Sequence, residues 1–233
     1  MGHELPRLKL DSWSFFRVSI RLWSECIMNI LHVTCSPRGA LSESTRLSRR
    51  IVDLLRELDP AAVVMERPLG DVPIPHIDAN YAIAQHDPAR ATSSGGSTAC
   101  SETLIRELES ADAVVIGTPM HNLAAPSVLK AWIDHVVRAG RTFAMTPEGK
   151  TGTLPDRPVF VAVASGGVFS GERARQPDFL TPWLRHVLGG IGLTDVSVFS
   201  IEGTAHDAES VAQAREANDG KLRAHVDRLS LQR

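Results

Sequence analysis

From Met28 onward, apolar runs of strand length recur along the chain: Asn29 to Cys35, Ala62-Val63-Val64-Met65, Ala113-Val114-Val115-Ile116-Gly117, Val159-Phe160-Val161-Ala162-Val163-Ala164 and Val196-Ser197-Val198-Phe199. They are valine-rich and continuous rather than alternating, which predicts strands covered on both faces and hence a parallel sheet. Between them the period changes to that of helices. Leu47, Ile51, Leu54, Leu55 and Leu58 fall on one face of 44–58. Leu104, Ile105 and Leu108 precede the third run, and Val128, Leu129, Trp132, Ile133, Val136 and Val137 mark 126–139. A fourth helix is expected over about 177–190, and a polar, alanine-rich fifth over about 207–229 with a weak stripe of Ala208, Val211, Ala212 and Leu222. Alternation of strands and helices predicts a three-layer α/β/α domain with right-handed crossovers and a ligand crevice at the carboxyl ends of the strands. The longest irregular stretch, about 67–100, holds Pro68, Pro73, Pro75, Pro88 and Ser93-Ser94-Gly95-Gly96-Ser97, and such stretches are functional edges or disordered.

Residues 1–27 carry Trp13, Phe15, Phe16 and Trp23 but are broken by Arg7, Lys9, Asp11, Arg17, Arg21 and Glu25. They have neither the uninterrupted apolar core of a signal peptide nor that of an anchor. The expectation is a disordered or mis-assigned leader, followed by one domain over 28–233.

Composition narrows the partners. The chain has 25 Lys plus Arg against 27 Asp plus Glu, a formal charge of −2, and no basic run, so it lacks the electrostatic drive for phosphate-backbone binding and nucleic acid is not an expected partner. No apolar stretch approaches the ~20 residues that span a bilayer, so no membrane partner is expected. Cys26, Cys35 and Cys100 fit neither a disulfide framework nor a CxxC site, which suits a reducing cytoplasm.

Three post-strand loops could carry chemistry. The first, Ser36-Pro37-Arg38-Gly39-Ala40-Leu41-Ser42-Glu43-Ser44-Thr45, leads into the first helix. Unpaired amides at a helix N-terminus and serine hydroxyls together suit a phosphate, although ordinary N-capping also explains the serines. Neither GxxxxGK[ST] nor GxGxxG is present, so a terminal phosphate monoester fits better than a nucleoside triphosphate or dinucleotide. The second loop, Thr118-Pro119-Met120-His121-Asn122-Leu123, mixes apolar and polar groups in the manner of a site for a flat, half-polar ligand. In the third, Ala164-Ser165-Gly166-Gly167, two glycines permit close backbone approach. A nucleophile elbow, HExxH and clustered Cys/His are all missing, so neither hydrolysis nor a metal site is expected.

Taken together, Ser36 with Ser42-Glu43-Ser44, Pro119-Met120-His121-Asn122, Leu129-Lys130-x-Trp132-Ile133-Asp134, Arg138-Ala139-Gly140-x-Thr142-Phe143 and Ser165-Gly166-Gly167 resemble the FMN-dependent NADH azoreductases. The resemblance continues through Gly189-x-Ile191-Gly192-Leu193-Thr194-Asp195 and Glu202-Gly203, and spans about 28–228. It implies a flavodoxin-like three-layer α/β/α sandwich with a five-stranded parallel sheet in the order 2-1-3-4-5. It also implies a homodimer with NADH:quinone oxidoreductase and azoreductase activity. By that resemblance Ser36, Ser42, Glu43 and Ser44 would hold the FMN phosphate and ribityl chain. Met120, His121, Asn122 and Leu123, with Ala164, Ser165, Gly166 and Gly167, would hold the isoalloxazine ring. NADH would be the co-substrate and a quinone or azo compound the acceptor, in ping-pong chemistry that needs no catalytic side chain. The chain departs from the family in carrying His121 where tyrosine is common, and Ala164-Ser165-Gly166-Gly167 where Ser-Arg-Gly-Gly is frequent. Two rival readings are a flavodoxin-type electron carrier without NADH oxidation and a flavin-free interaction protein.

Overall fold

A computed structural model of the chain describes residues 27–86 and 96–231. All of the expected leader but Ile27, together with Pro88 and Ser93-Ser94-Gly95, lies outside the described residues. The strands are β1 (Asn29–Thr34), β2 (Val63–Pro68), β3 (Ala113–Pro119), β4 (Phe143–Thr146), β5 (Gly149–Gly152), β6 (Val159–Ala164) and β7 (Val196–Ile201). The helices are α1 (Glu43–Leu58), α2 (Ala79–His86), α3 (Gly96–Ser110), α4 (Ser127–Val136), α5 (Thr181–Gly189) and α6 (Ala208–Leu231).

Five strands form one sheet in the order β2-β1-β3-β6-β7, every pair parallel. This is the expected 2-1-3-4-5 topology. Its numbering changes because β4 and β5 form a separate antiparallel hairpin between the third and fourth sheet strands. The continuous apolar runs have a direct structural reason. Leu31, Val33, Val114, Ile116, Val161 and Val163 face one layer, with Leu104, Ile105 and Leu108 of α3, Leu129, Trp132, Ile133 and Val136 of α4, and Leu184 and Leu188 of α5. Their neighbours Ile30, Val115, Phe160 and Ala162 face the other, with Leu47, Ile51, Leu54 and Leu55 of α1 and Leu222 and Val226 of α6. A strand with apolar neighbours on both faces cannot alternate. The edge strand β2 is the exception: Val63 is 54% exposed, and Pro68 closes the strand.

The stretch expected to be irregular over 67–100 instead contains α2 and the start of α3. Asp78 organises it by accepting from the Tyr81 amide at 2.8 Å and the Ser97 amide at 3.0 Å, so that one carboxylate caps both helices. Tyr81 is buried and donates to the Asp134 carbonyl at 3.0 Å, which ties the segment to α4.

The seat of α1 on the sheet positions the loops described below. A Cβ on Gly117 of β3 would lie 2.5 Å from Ser48 Oγ and 2.9 Å from the Ser44 carbonyl, so only glycine allows the helix to come this close. Ser48 Oγ donates to the Thr45 carbonyl at 3.1 Å and lies 2.9 Å from His32 Nε2 of β1, satisfying polar groups between helix and sheet. Gly117→Ala is therefore expected to cost roughly 1–3 kcal/mol through overpacking. Gly220→Ala, in α6 with nothing near its added Cβ, should instead gain roughly 0.5–1 kcal/mol from helix propensity. Urea unfolding of the two variants checks both signs.

Candidate functional site

A cavity of about 470 Å³ opens at the carboxyl ends of β1, β3 and β6. The turn after β1 contributes Ser36, Pro37, Arg38, Leu41, Ser42 and Glu43, and the turn after β3 contributes Pro119, Met120 and His121. Ala164 and Gly166 follow from β6, Thr204 and His206 from the loop after β7, and Ala208, Val211 and Arg215 from α6. The volume lies within the roughly 300–1,000 Å³ typical of small-molecule clefts.

Its polar end is built by α1. Arg46 N donates to the Ser42 carbonyl at 2.9 Å, but the Ser42 side chain makes no capping bond to the backbone. Instead Ser42 Oγ and Ser44 Oγ are paired at 2.9 Å. The amides of Glu43, Ser44 and Thr45 consequently have no acceptor among the described residues. A helix start with free amides and paired hydroxyls beside a cavity suits an anion, since each amide points its hydrogen outward at the positive end of the helix dipole. Ser36, 4% exposed, accepts from the Arg38 amide at 3.3 Å and completes the turn. A Cβ on Gly70 would meet the Ser36 carbonyl at 2.1 Å, so the chain after β2 packs directly against this turn.

The other end is less polar. Met120 is fixed by its amide, which donates to the Ala164 carbonyl at 2.8 Å. His121 and Ala124 exchange two backbone bonds of 3.0 Å each, closing a tight turn in which Asn122 (φ 50°) and Leu123 (φ 70°) both adopt left-handed backbone. For leucine this conformation is unfavourable, so the surrounding contacts must impose it. One such contact is the Phe179 amide, which donates to the Leu123 carbonyl at 3.1 Å.

Behind the rim, Gln176 Nε2 lies 2.9 Å from Ser165 Oγ and 3.4 Å from Met120 Sδ, joining the β3 and β6 turns. The Glu202 carboxylate accepts from the Phe169 amide at 2.7 Å, the Ser170 amide at 3.0 Å, Ser170 Oγ at 2.6 Å and Ser200 Oγ at 2.9 Å. Burial pushes this carboxyl up, but the hydrogen bonds from Ser170, Phe169 and Ser200 outweigh it and hold it below the ordinary glutamate range.

Seven of the twelve residues expected from the sequence line the cavity: Ser36, Ser42, Glu43, Met120, His121, Ala164 and Gly166. The other five, Ser44, Asn122, Leu123, Ser165 and Gly167, stand next to it in the chain without lining it. Ser44 and Ser165 are buried and act on lining residues, the first through Ser42 Oγ and the second through a 3.8 Å contact from its hydroxyl to Met120 Sδ. Glu43 faces Arg215 of α6, whose Nε donates to it at 2.9 Å while Nη2 makes a second, short bond, and Arg46 Nε adds a third at 3.1 Å. The hydrogen bonds from Arg215, with help from Arg46 and against burial, hold the Glu43 carboxyl below its usual range.

Arg38 and Leu41 lie in the first of the loops singled out from the sequence, without an individual role there, whereas Thr204, His206 and Arg215 lie outside those loops. For Thr204 and His206 a signal existed, because they follow a sheet strand on the same edge as the three loops already singled out. Arg215 comes 172 residues after its partner and left no local trace. Cys35, one residue before Ser36, is fully buried, and burial pushes its thiol up to about 12 despite a hydrogen bond with Thr118. Among the described residues there is no cluster of three or more His, Cys, Asp or Glu that could hold a metal ion, and no helix is long and apolar enough to cross a membrane.

The Flavodoxin_2 family model, described as having a flavodoxin-like fold, matches residues 28–226. A protein of Burkholderia lata named FMN-dependent NADH:quinone oxidoreductase 5 is 48% identical over 187 residues, covering 80% of this chain and 91% of that protein. The crystal structure of an azoreductase from Bacillus anthracis superposes with a TM-score of 0.76 at 24% identity, covering 87% of this chain and all of that one, and it supports the fold. The azoreductase AzrA is 26% identical with a TM-score of 0.71, covering 84% of this chain and 99% of its own.

The Glu202 network yields a signed expectation. A carboxyl held below its unfolded value contributes stability above the ordinary glutamate range, and that contribution is lost as pH falls through the lowered value. Glu202→Gln should therefore cost about 1–3 kcal/mol at neutral pH, and the gap between wild type and variant should close on acidification. Denaturant unfolding of both proteins across pH measures it.

Proposed function

This chain belongs to the Flavodoxin_2 family of flavodoxin-like fold, and we propose that within it the protein is an FMN-dependent NADH:quinone oxidoreductase that also reduces azo compounds. The 48% identity to a relative of that name carries the reading, and the open N-terminus of α1 beside a cavity of about 470 Å³ supports it independently. The free amides of Glu43, Ser44 and Thr45 with the hydroxyls of Ser36 and Ser42 fit a phosphate monoester. The cavity wall of Met120, Ala164 and Gly166 fits the flat ring system.

In this reading Ser36, Ser42, Glu43 and Ser44 form the cradle for phosphate and ribityl chain, with Ser44 orienting the Ser42 hydroxyl. Met120, His121, Asn122 and Leu123 form one side of the ring site, and Ala164, Ser165, Gly166 and Gly167 the other. When bound, FMN supplies two-electron transfer from NADH to the acceptor. The chain's own groups bind and orient. The strained Asn122-Leu123 turn holds His121 at the edge of the cavity, and its two amides have no acceptor among the described residues. Gln176 holds Ser165 and Met120 together so that both sides of the ring site keep their spacing.

The proposal extends to a homodimer in a reducing cytoplasm. Leu41, 79% exposed on the cavity, and Phe179, 61% exposed and bonded to the β3 turn, are apolar groups at the rim that a second subunit would cover. Cys35 and Cys100 are free thiols, as suits that compartment.

The decisive measurement is reconstitution of the purified protein with FMN, followed by NADH oxidation with and without a benzoquinone. Tight FMN binding with quinone-dependent NADH consumption is expected. FMN binding without NADH consumption would identify an electron carrier, and no FMN binding would reject the flavoenzyme altogether. Ser42→Ala should weaken FMN by about 1.5–3 kcal/mol if its hydroxyl bonds the phosphate, read by quenching of flavin fluorescence.

A further inference from the structure

We propose that Arg215 is a positioning residue for phosphate recognition: by pairing with Glu43 it neutralises a carboxylate that stands in the anion cradle, and so admits a phosphate monoester. The inference rests on the flavin reading above and goes beyond it by assigning a role to α6.

The difficulty it resolves is electrostatic. Glu43 occupies the first position of α1, where a carboxylate is stabilised by the helix dipole and competes with any other anion for the same field. It lines the cavity alongside Ser36 and Ser42, so a bare carboxylate there would repel a phosphate dianion. The structure instead directs two donors of Arg215 onto the two Glu43 oxygens. Such a forked pair is the strongest that a guanidinium makes, and it fixes the carboxylate in one orientation. Arg215 itself lines the cavity, so its positive charge faces the same space. Arg46, the other partner of Glu43, does not line the cavity and also lies 3.8 Å from Asp219, so its charge is shared. The side chain of Arg215 is 43% exposed and forms no part of either core, so replacing it leaves the packing intact.

FMN and riboflavin differ in the phosphate, so their affinities separate this role from a general one. Both would be titrated into the flavin-free full-length protein, as wild type, Arg215→Gln, Glu43→Gln and the double variant, with fluorescence as the readout. Arg215→Gln should weaken FMN roughly five- to thirtyfold, the effect of one or two kcal/mol, and leave riboflavin unchanged. Adding Glu43→Gln should restore most of the loss, because the repelling charge is then gone. Equal weakening of both flavins, unaltered FMN affinity, or failure of Glu43→Gln to restore binding would each overturn the proposal. A wild-type protein that binds neither flavin, or riboflavin as tightly as FMN, would instead overturn the phosphate-site reading on which it rests.

Discussion

The close seat of α1 on the sheet is the constraint on which the site depends. Gly117 offers no side chain, so Ser44 and Ser48 approach β3 directly, and the hydroxyl of Ser48 bridges the Thr45 carbonyl and His32. The helix start is thereby held at the end of β1, beside the turns after β3 and β6. A helix displaced by even a methyl group would carry its free amides away from the cavity. The same interlayer contact thus serves packing and recognition, which is why a residue with no ligand contact has such influence over the cradle.

Much of the architecture was legible because burial on both faces leaves a strong mark. The sheet strands β1, β3, β6 and β7 coincide with continuous apolar runs, and the first three of the expected helices carry the face that each layer buries. The hairpin of β4 and β5 was not legible in this way. Its strands are short, only partly buried, and read FAMT and GKTG, with no apolar run to announce them. Nor was α2, whose only buried side chain among those described is Tyr81 and whose order comes from Asp78 and from α4. Elements that depend on capping and on tertiary partners rather than on an apolar stripe leave little periodicity to read.

The site divides along the same line. Ser36, Ser42, Glu43, Met120, His121, Ala164 and Gly166 follow sheet strands in short turns, so the topology alone gathers them at one edge. Glu43 was placed in the phosphate cradle by the resemblance, and it does line the cavity, but its carboxylate pairs with two arginines, Arg215 and Arg46. That pairing joins the first helix to the last and depends on how α6 crosses α1, information that no local pattern contains. Gln176 was hidden for a similar reason, and Glu202, though part of the resemblance, gave no hint of the loop it braces.

Cys35 adds one consequence for chemical durability. Soft electrophiles attack thiolates and largely spare protonated thiols. With its thiol fully buried and its ionisation pushed up to about 12, Cys35 presents essentially no nucleophile at neutral pH. The residue that immediately follows β1 is in this way closed to alkylation by soft electrophiles.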